Sequence, residues 1–415
     1  MRLLLIAALL VGTAANGAPV AKAPDFLYVV RPGDTLIDLA KRGFRREGDY
    51  VVAQRHNQIA NPRRLQPGST LHIPERILKT RAIGAKVVAF RGDAMVSGSP
   101  AQLGIAVAEG AMLKTGADAF LTIALADGSL ITLPSRSTMK VSGLHRVVLT
   151  GNSVKTFDLL EGRSETQVQK ARQPNDRFEI HTPVSVAAVR GTKFRVTFGQ
   201  EKAIAGAGVL EGTVAIGAGN KSLSLPAGNG VTASADGPGE PAALLPRPTL
   251  QNPDRVQDED EVRFAVVPLP GASTYRVQLA SDAGFIEIFA EAVSPTDTFG
   301  FKGVPNGTFF ARATALSDEG IEGFPAVYSF ERRLNTITAE VGKPDQCPAT
   351  RCLRFRWRSG GEGDHRYRFQ LASRPGGTPI IDQLEMTSSE IVLTDLPGGT
   401  YYWRVESNLL DGGRR

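Results

Sequence analysis

Few residue patterns in this chain could support catalysis. Ser137 and Lys140 have the S-x-x-K spacing of serine acyl-transfer enzymes, in which the start of a helix brings the hydroxyl and the amine together. Here they lie in a strand-rich segment, which does not provide that geometry. Segment 217–222 resembles a phosphate loop, but Asn220 stands where that loop needs a glycine. With neither an H-E-x-x-H helix nor a G-x-S-x-G turn, the sequence predicts a protein that is not an enzyme.

The composition offers little for a metal, a cofactor or a nucleic acid. The 415 residues include two cysteines and five scattered histidines, and the net charge of +6 is a mild basic excess. Segment 351–374 is rich in arginine, but its aromatic residues fall on the opposite face of the predicted strands, which argues against base stacking. We therefore expect no metal, no cofactor and no nucleic-acid partner.

The first residues have the pattern of a secretory signal peptide. Met1 and Arg2 precede nine apolar residues, 3–11, and small residues follow as far as Ala18, so segment 1–18 is predicted to be the signal. An uncleaved anchor is the alternative, although the run is shorter than the roughly 20 residues that span a membrane. No later run reaches that length, which predicts an exported, periplasmic chain without an integral membrane segment.

Cys347 and Cys352 flank three residues near the end of the chain. In an oxidising compartment such as the periplasm, two cysteines this close are expected to form a local disulfide. The sequence therefore predicts a Cys347–Cys352 bridge.

Residues 28–74 have the pattern of a small α+β module. A short strand from Tyr28 is followed by a Pro-Gly turn, and an amphipathic helix begins after Thr35, with apolar residues at helical spacing. A second short helix and a second strand, which ends at Pro74, complete a βααβ order.

This module resembles a LysM domain through the phrases YVVRPGDTL and LQPGSTLHIP. The resemblance implies binding of peptidoglycan or a related N-acetylglucosamine polymer in a groove between two loops. The residues it implicates are Gly33, Asp34, Thr35, Asn57, Gln58 and Ile59. Backbone amides beside a glycine and an Asn-Gln pair can recognise acetamide groups, and Ile59 offers an apolar contact. The alternative is that Asp34 and Thr35 only cap the helix.

Residues 86–231 are predicted to form an all-β domain, because short alternating strands are separated by turns. The clearest example is a hairpin over 120–133 with its turn at Asp127-Gly128. The domain resembles FecR through the phrases LADGSLITL, FDLLEGR and FEIHTPVSVAAVRGTKFRV. The resemblance implies kinship with regulators that pass an outer-membrane transport signal to a sigma factor. Residues 190–192 are either a partner contact or a tight bend at Gly191; we favour the bend.

The last part of the chain contains an internal repeat. TYRVQLAS at 274–281 recurs as RYRFQLAS at 366–373, and PNGTFF at 305–310 recurs as PGGTYY at 397–402, both with an offset of 92 residues. Both units resemble fibronectin type III modules, which implies antiparallel β-sandwiches. We expect a Pro/Gly linker at 235–253, one sandwich at 254–333 and another at 336–415 that lacks its last strand.

The sequence thus predicts a mainly β, multidomain protein that is exported and not catalytic. Its expected function is to bind peptidoglycan through the LysM-like module and to present β-domains for contacts with envelope proteins. The alternative is a FecR-related periplasmic sensor or signalling adaptor. A cell-wall hydrolase is a third hypothesis, which the lack of a catalytic pattern disfavours.

Overall fold

The computed structural model describes residues 25–251, 253, 256–340 and 352–410. This part of the chain is mainly β and comprises several sheets, which confirms the predicted fold class. It divides into two compact units, the first formed by 25–82, 145–154 and 173–176, and the second by the remaining described residues. The predicted signal peptide and Cys347 lie outside the described residues.

The first unit contains the βααβ module, called here the N-terminal module. Its elements are β1 (Phe26–Val29), α1 (Leu36–Gly43), α2 (Tyr50–His56) and β2 (Thr70–Ile73), and β3 (Thr80–Ala82) follows it in the same unit. Strands β1 and β2 pair antiparallel. Helix α1 begins where the sequence predicts, because the Thr35 hydroxyl accepts a hydrogen bond from Asp38 N at 3.1 Å. Its buried residues follow the predicted helical spacing and face β1 and β2 in one core.

Residues from the middle of the chain complete that core. Residues 145–147 pair with β3, and Val147 and Val154 are buried in the same cluster as α1. A Cβ atom at Gly43 would lie 2.5 Å from the Leu149 Cβ, so glycine allows this close approach. The compact unit is therefore larger than the predicted 28–74, because contacts distant in sequence extend it.

The second unit begins with an all-β region, called here the β-domain. Its strands are β4 (Ala85–Arg91), β5 (Ala94–Val96), β6 (Ser99–Pro100), β7 (Met112–Thr115), β8 (Phe120–Leu125), β9 (Leu130–Leu133), β10 (Thr138–Val147), β11 (Ser153–Gln167), β12 (Arg177–His181), β13 (Val186–Val189), β14 (Lys193–Gly199), β15 (Ile204–Glu211), β16 (Thr213–Ala218), β17 (Lys221–Pro226), β18 (Asn229–Ser234), β19 (Gly237–Pro238) and β20 (Ala242–Ala243). The last three residues of β10 and the first two of β11 belong to the first unit. The predicted hairpin is present: β8 and β9 pair antiparallel, with Leu121 opposite Leu133.

The predicted linker, 235–253, is partly ordered against the β-domain. Strands β19 and β20 both pair with β18. Leu244 and Leu250 are buried, and Leu250 belongs to the core of the following sandwich. The Pro/Gly content therefore does not make this segment a free spacer, since Leu244 and Leu250 are buried by packing.

The first sandwich comprises β21 (Val256–Gln257), β22 (Glu261–Ala265), β23 (Thr274–Ala280), β24 (Ile288–Ser294), β25 (Thr298–Lys302), β26 (Gly307–Leu316) and β27 (Ala326–Arg332). One sheet has the order β21-β27-β26-β23-β24, and β22 pairs with β25 in the other. The core between them includes Phe264, Phe301 and Phe330. All pairings are antiparallel except that of β21 with β27.

The second sandwich comprises β28 (Thr336–Glu340), β29 (Cys352–Gly360), β30 (Asp364–Ala372), β31 (Ile381–Met386), β32 (Glu390–Thr394) and β33 (Tyr402–Leu410). Its sheets have the orders β28-β29-β32 and β31-β30-β33. Trp357, Phe369 and Leu371 lie in its core. Strands β30 and β33 repeat β23 and β26 of the first sandwich. Cys352 begins β29, and the disulfide with Cys347 stays a prediction.

Candidate interaction sites

The two loops of the predicted glycan site meet in the N-terminal module. Gly33, Asp34 and Thr35 lie in the loop before α1, and Asn57, Gln58 and Ile59 follow α2. Leu36 N donates a hydrogen bond to Pro62 O at 2.8 Å, which connects the two loops. The sequence prediction therefore names residues that lie on neighbouring loops.

Three of the six predicted residues, Asp34, Thr35 and Asn57, have side chains that are engaged within the module. The Asp34 carboxylate, 7% exposed, accepts hydrogen bonds from Tyr28 Oη and Arg31 N, both at 2.8 Å, and pairs with Arg42 at 2.6 Å. Burial tends to raise the pKa of Asp34, but these hydrogen bonds outweigh it and lower the pKa. The Asn57 amide group donates to Ala53 O and accepts from His72 N.

The remaining candidates are better placed to contact a ligand. Gly33 and Gln58 are exposed and Ile59 is partly exposed. Both exposed residues have positive φ, 85° for Gly33 and 54° for Gln58. Since Thr35 caps α1, the capping alternative accounts for Thr35, and a glycan contact would rest on Gly33, Gln58 and Ile59.

The catalysis-like patterns have structural roles. Ser137 is buried, and its hydroxyl accepts a hydrogen bond from Arg163 N at 3.0 Å, whereas Lys140 is exposed on β10. The glycine-rich segment 217–222 is the hairpin between β16 and β17. Neither arrangement brings a nucleophile to a base or presents amides to a phosphate.

Gly191 lies at a tight bend, as favoured from the sequence. Its φ is 120°, and a Cβ atom there would lie 2.9 Å from the Lys170 Cα. The neighbouring Thr192 is buried and donates a hydrogen bond to Thr213 O. The bend thus lets the chain pass from β13 to β14 close to Lys170.

A buried cluster of charges joins the β-domain to the first sandwich. Glu165 on β11 contributes a carboxylate from the β-domain. Arg276 on β23 and Arg312 on β26 contribute guanidinium groups from the sandwich. Arg276 Nη1 lies 3.0 Å from Glu165 Oε1, and Arg312 Nη2 lies 2.9 Å from Glu165 Oε2. We call this contact the junction.

Further groups from both sides complete the junction. Arg276, whose side chain is 1% exposed, also binds Glu322 at 2.9 Å and Glu291 at 2.5 Å. From the β-domain, Arg195 Nη1 donates to Gly323 O at 2.9 Å. Gln278 donates to Glu291 and accepts from Arg312. Each carboxylate is therefore paired, as buried charges must be.

The electrostatics of the junction favour the charged forms of its acids. Burial by itself would raise the pKa of Glu165, but the guanidinium groups of Arg312, Arg195 and Arg276 lower it to about 2. The pKa of Glu322 is also lowered, because Arg195 and Arg276 outweigh the effect of burial. Both carboxylates are therefore ionised at neutral pH and hold the cations in place.

Apolar contacts extend the junction. Phe120 of β8 is buried in a cluster with Ala280, Phe285 and Ile288 of the first sandwich. Beside it, the Thr122 hydroxyl donates to Ile286 O at 3.3 Å. These apolar contacts cover part of the charge cluster and limit its contact with water, which strengthens its ion pairs.

Glycine permits close approach at a further point of the junction. A Cβ atom at Gly230 of β18 would lie 2.6 Å from Ile321 Cγ2 and 3.0 Å from Leu244 Cδ2. Ile321 follows β26 in the first sandwich. A larger residue at position 230 would therefore push the first sandwich away from the β-domain.

An apolar groove of about 510 Å³ runs along the edge of the junction. Its apolar lining includes Phe90, Leu103, Ile286, Phe289 and Phe309. Leu103 is 69% exposed, and Phe90 and Ile286 are also exposed. Exposed apolar residues grouped in a groove between domains are typical of sites that bind a partner.

The sequence did not reveal the junction. Arg276 and Gln278 alternate with Tyr275, Val277 and Leu279 along β23, which predicts polar residues facing water. In the structure that polar face is covered by the β-domain. The internal repeat was the one sequence signal that pointed to these residues. Arg276, Gln278 and Arg312 of the first sandwich recur, 92 residues later, in the second.

Comparison with protein families finds one match. Residues 111–215 match the family described as FecR protein, and this range lies within the β-domain. The FecR resemblance is thereby confirmed for this range. No curated protein matches the chain. The comparisons indicate no catalytic family, and the LysM resemblance stays a prediction.

Several solved structures are similar to parts of the chain. A putative anti-sigma factor from Parabacteroides distasonis has 17% identity and a TM-score of 0.26, with 32% of this chain and 57% of that chain covered. Fibronectin(III)-like modules of Clostridium thermocellum CbhA have 14% identity and a TM-score of 0.20, over 39% and 84%. The chain thus spans just over half the length of the anti-sigma factor. At such low scores, only the family match bears on function.

Two kinds of site are absent from the part of the chain that the structure describes. No helix there is both long enough and apolar enough to cross a membrane. The same residues contain no group of three or more histidine, cysteine, aspartate or glutamate side chains arranged to hold a metal ion.

Proposed function

We propose that this chain is a non-catalytic envelope protein that acts as a FecR-related periplasmic sensor or signalling adaptor. The observation that carries the proposal is the FecR family match at 111–215, inside the β-domain. In this proposal the β-domain and the first sandwich act as one body. They bind an envelope protein and transmit its conformational state to a further protein by direct contact.

Two structural features support this proposal. The junction pairs Glu165 with Arg276 and Arg312 in a buried cluster, so it can keep the β-domain and the first sandwich in a fixed arrangement. The groove beside it exposes Leu103 and Phe90, which gives a partner an apolar surface on that body. Periplasmic location is supported by the signal-peptide pattern of 1–18.

A transcript comparison tests the signalling function. In cells that lack the chain, the transcript levels of a small set of genes are expected to change. Expression of the intact chain should restore the original transcript levels. The variant Leu103→Glu, which places a charge in the groove at an exposed position, should fail to restore them. Lys140→Glu is the matched control because Lys140 is exposed on β10. Unchanged transcripts in the deletion strain would exclude a signalling role.

Site-specific photocrosslinking tests the contact itself. A photoreactive residue at position 103 should crosslink one envelope protein reproducibly in cells, and the same residue at position 140 should not. Equal crosslinking from both positions would show that the groove is not the binding surface.

The N-terminal module supports a second function, binding to peptidoglycan or a related N-acetylglucosamine polymer. The observation that favours it is the convergence of its two loops, with Gly33, Gln58 and Ile59 left accessible. A single module binds without avidity, so we expect weak binding. Attachment to the wall would hold the adaptor near envelope partners.

Sedimentation with purified peptidoglycan tests this second function. The intact chain should pellet, and Gln58→Ala combined with Ile59→Ser should reduce the pelleted fraction. Gln66→Ala, at an exposed position in another turn, is the control. Point variants are preferable to removal of 28–74, because Val147 and Val154 pack against that segment. An intact chain that stays in solution would exclude wall binding, and a zymogram with cleared wall would contradict the non-catalytic assignment.

A further inference from the structure

The second sandwich repeats the polar arrangement that the first sandwich uses at the junction. With the 92-residue offset, Arg368, Gln370 and Arg404 correspond to Arg276, Gln278 and Arg312. Asp382 stands opposite Gln370 on the neighbouring strand, as Glu291 stands opposite Gln278. We call the outer surface of the sheet β31-β30-β33, which carries these groups, the second-sandwich face.

Three hydrogen bonds recur in the two arrangements with the same donor atoms. Arg276 Nε donates to Glu291 at 2.6 Å, and Arg368 Nε donates to Asp382 at 2.9 Å. The glutamine amide donates to the same acid in both, at 2.8 Å and 2.9 Å.

The second arginine completes each set. Arg312 Nε donates to the Gln278 oxygen at 2.9 Å, and Arg404 Nε donates to the Gln370 oxygen at 2.5 Å. The polar groups are therefore arranged in the second sandwich as they are in the docked one.

The apolar part of the junction also has its counterpart. Ile288 and Phe310, which belong to the Phe120 cluster, correspond by the same offset to Ile380 and Tyr402. The counterpart of Phe285 is Gly377, and a hollow of about 290 Å³ lined by Gly377 and Tyr402 lies there. The second-sandwich face therefore has room for an aromatic side chain from outside.

The two faces differ in what covers them. Ile288 is 4% exposed beneath Phe120, whereas Ile380 is 54% exposed. The Arg276 side chain is 1% exposed beneath Glu165, whereas that of Arg368 is 37% exposed. Among the described residues, no carboxylate from another domain pairs with Arg368 or Arg404 as Glu165 pairs with their counterparts.

We propose that the second-sandwich face is a docking site for a β-domain of another protein, one that presents a carboxylate beside an aromatic ring. The repeat favours this partner, because Arg368 and Arg404 stand where Arg276 and Arg312 bind Glu165 of the β-domain in the first sandwich. The β-domain of the same chain already uses its Glu165 and Phe120 at the junction. This surface is separate from the groove, so its test is independent of the proposed signalling function.

A binding experiment with two full-length variants tests the proposal. In the donor chain, Arg276→Glu and Arg312→Glu repel Glu165 and free the Glu165–Phe120 face, while Arg368→Glu and Arg404→Glu disable its own second-sandwich face. The acceptor is the unaltered chain. We expect the donor to bind the acceptor in analytical ultracentrifugation, because the acceptor offers the matching arginines.

Variants of the acceptor assign the binding surface. Arg368→Glu with Arg404→Glu in the acceptor should weaken donor binding by about 30-fold or more, the usual effect of breaking interfacial charge pairs. Arg356→Glu, on the other sheet of the same sandwich, is the matched control and should leave binding unchanged. Absent binding by a folded donor, or equal binding by both acceptor variants, would overturn the proposal.

Two further measurements keep the result interpretable. If the unaltered chain self-associates and Arg368→Glu with Arg404→Glu abolishes this, the occupant is a second copy and the assigned partner is wrong. Thermal unfolding tests the face without a donor: Arg368→Glu with Arg404→Glu should leave the midpoint nearly unchanged, whereas Arg276→Glu with Arg312→Glu should lower it. Equal decreases would show that the face is already covered, which contradicts a free docking site.

Discussion

The two sandwiches carry the same group of side chains in two different environments. In the first, Arg276 is buried and pairs with Glu165 of the β-domain. In the second, Arg368 occupies the equivalent place and is partly exposed to water. The internal bonds to glutamine and acid are the same in both. The repeat therefore determines the arrangement, and the neighbouring domain determines how much the arrangement contributes to stability.

This difference has a physical basis. A buried ion pair that loses one partner leaves an unsolvated charge, which is costly, whereas exposed charges are solvated whether or not they are paired. Arg276 and Arg312 are therefore expected to be required for the folded arrangement, and Arg368 and Arg404 to be dispensable in the isolated chain. Matched substitutions in the two sandwiches test this contrast directly.

The largest difference is expected for the first arginine of each group. Arg276→Met should lower the free energy of unfolding by about 3–5 kcal/mol, because Glu165, Glu322 and Glu291 lose their shared cation. Arg368→Met should lower it far less, because the Arg368 guanidinium is partly exposed and solvated whether or not it is paired. Urea unfolding of both variants measures these changes. Equal decreases in the free energy of unfolding would contradict the expected difference between the two sandwiches.

The difference in stability between the two sandwiches should be somewhat smaller at the apolar positions. Ile288→Ala removes a side chain buried beneath Phe120 and should cost about 2–4 kcal/mol. Ile380→Ala, at the exposed counterpart, should change the free energy of unfolding by no more than about 0.5 kcal/mol. Chemical denaturation of the two variants measures this difference. A large decrease in the free energy of unfolding for Ile380→Ala would show that the second-sandwich face is covered.

Close approach at the junction gives a third test. Gly230→Ala places a methyl group against Ile321 and Leu244 and should cost about 1–3 kcal/mol. Gly217→Ala on β16 is the control, because a Cβ atom there meets nothing within 4 Å, and it should change stability by no more than about 0.5 kcal/mol. Thermal unfolding measures both. A neutral Gly230→Ala would indicate that the first sandwich does not pack closely at this point.

The dependence of stability on pH and salt gives a further test of the comparison. The pKa of Glu165 lies at about 2, below its ordinary value of 4.5, so its stabilisation is present above pH 4.5 and is lost as the pH falls towards 2. Hydrogen bonds from Arg368 and Gln370 likewise lower the pKa of the exposed Asp382 to about 2. Salt screens exposed charges more than buried ones.

Acid unfolding at two salt concentrations measures this difference. Glu165→Gln should flatten the pH dependence of stability at low and at high salt, and Asp382→Asn only at low salt. A Glu165 effect that disappears at high salt would show that the junction is open to solvent.

Local patterns predicted the local elements well. The apolar spacing after Thr35 predicts α1, and the Asp127-Gly128 turn predicts the β8–β9 hairpin, because each depends on neighbours in the sequence. The inclusion of 145–154 in the first unit depends on Val147 and Val154 packing against α1. No pattern of adjacent residues reports such a distant contact.

The candidate sites show the same difference between local and distant contacts. The LysM-like phrases name two loops that the structure brings together, but Asp34 and Asn57 are engaged by internal hydrogen bonds that depend on residues elsewhere in the module. The junction and the groove were not predicted, since each combines side chains from two domains. The family match at 111–215 supports the FecR resemblance, which depends on a continuous segment.

The sequence by itself determined the mainly β composition, the order of the modules and the 92-residue repeat, including which side chains of β23 and β30 share a face. It did so because strand alternation and turn chemistry act between residues that are close along the chain. The tertiary structure alone decided that Arg276 is buried and Arg368 is not. Burial depends on which surface covers a face, and the same phrase of sequence can be covered in one repeat and exposed in the next.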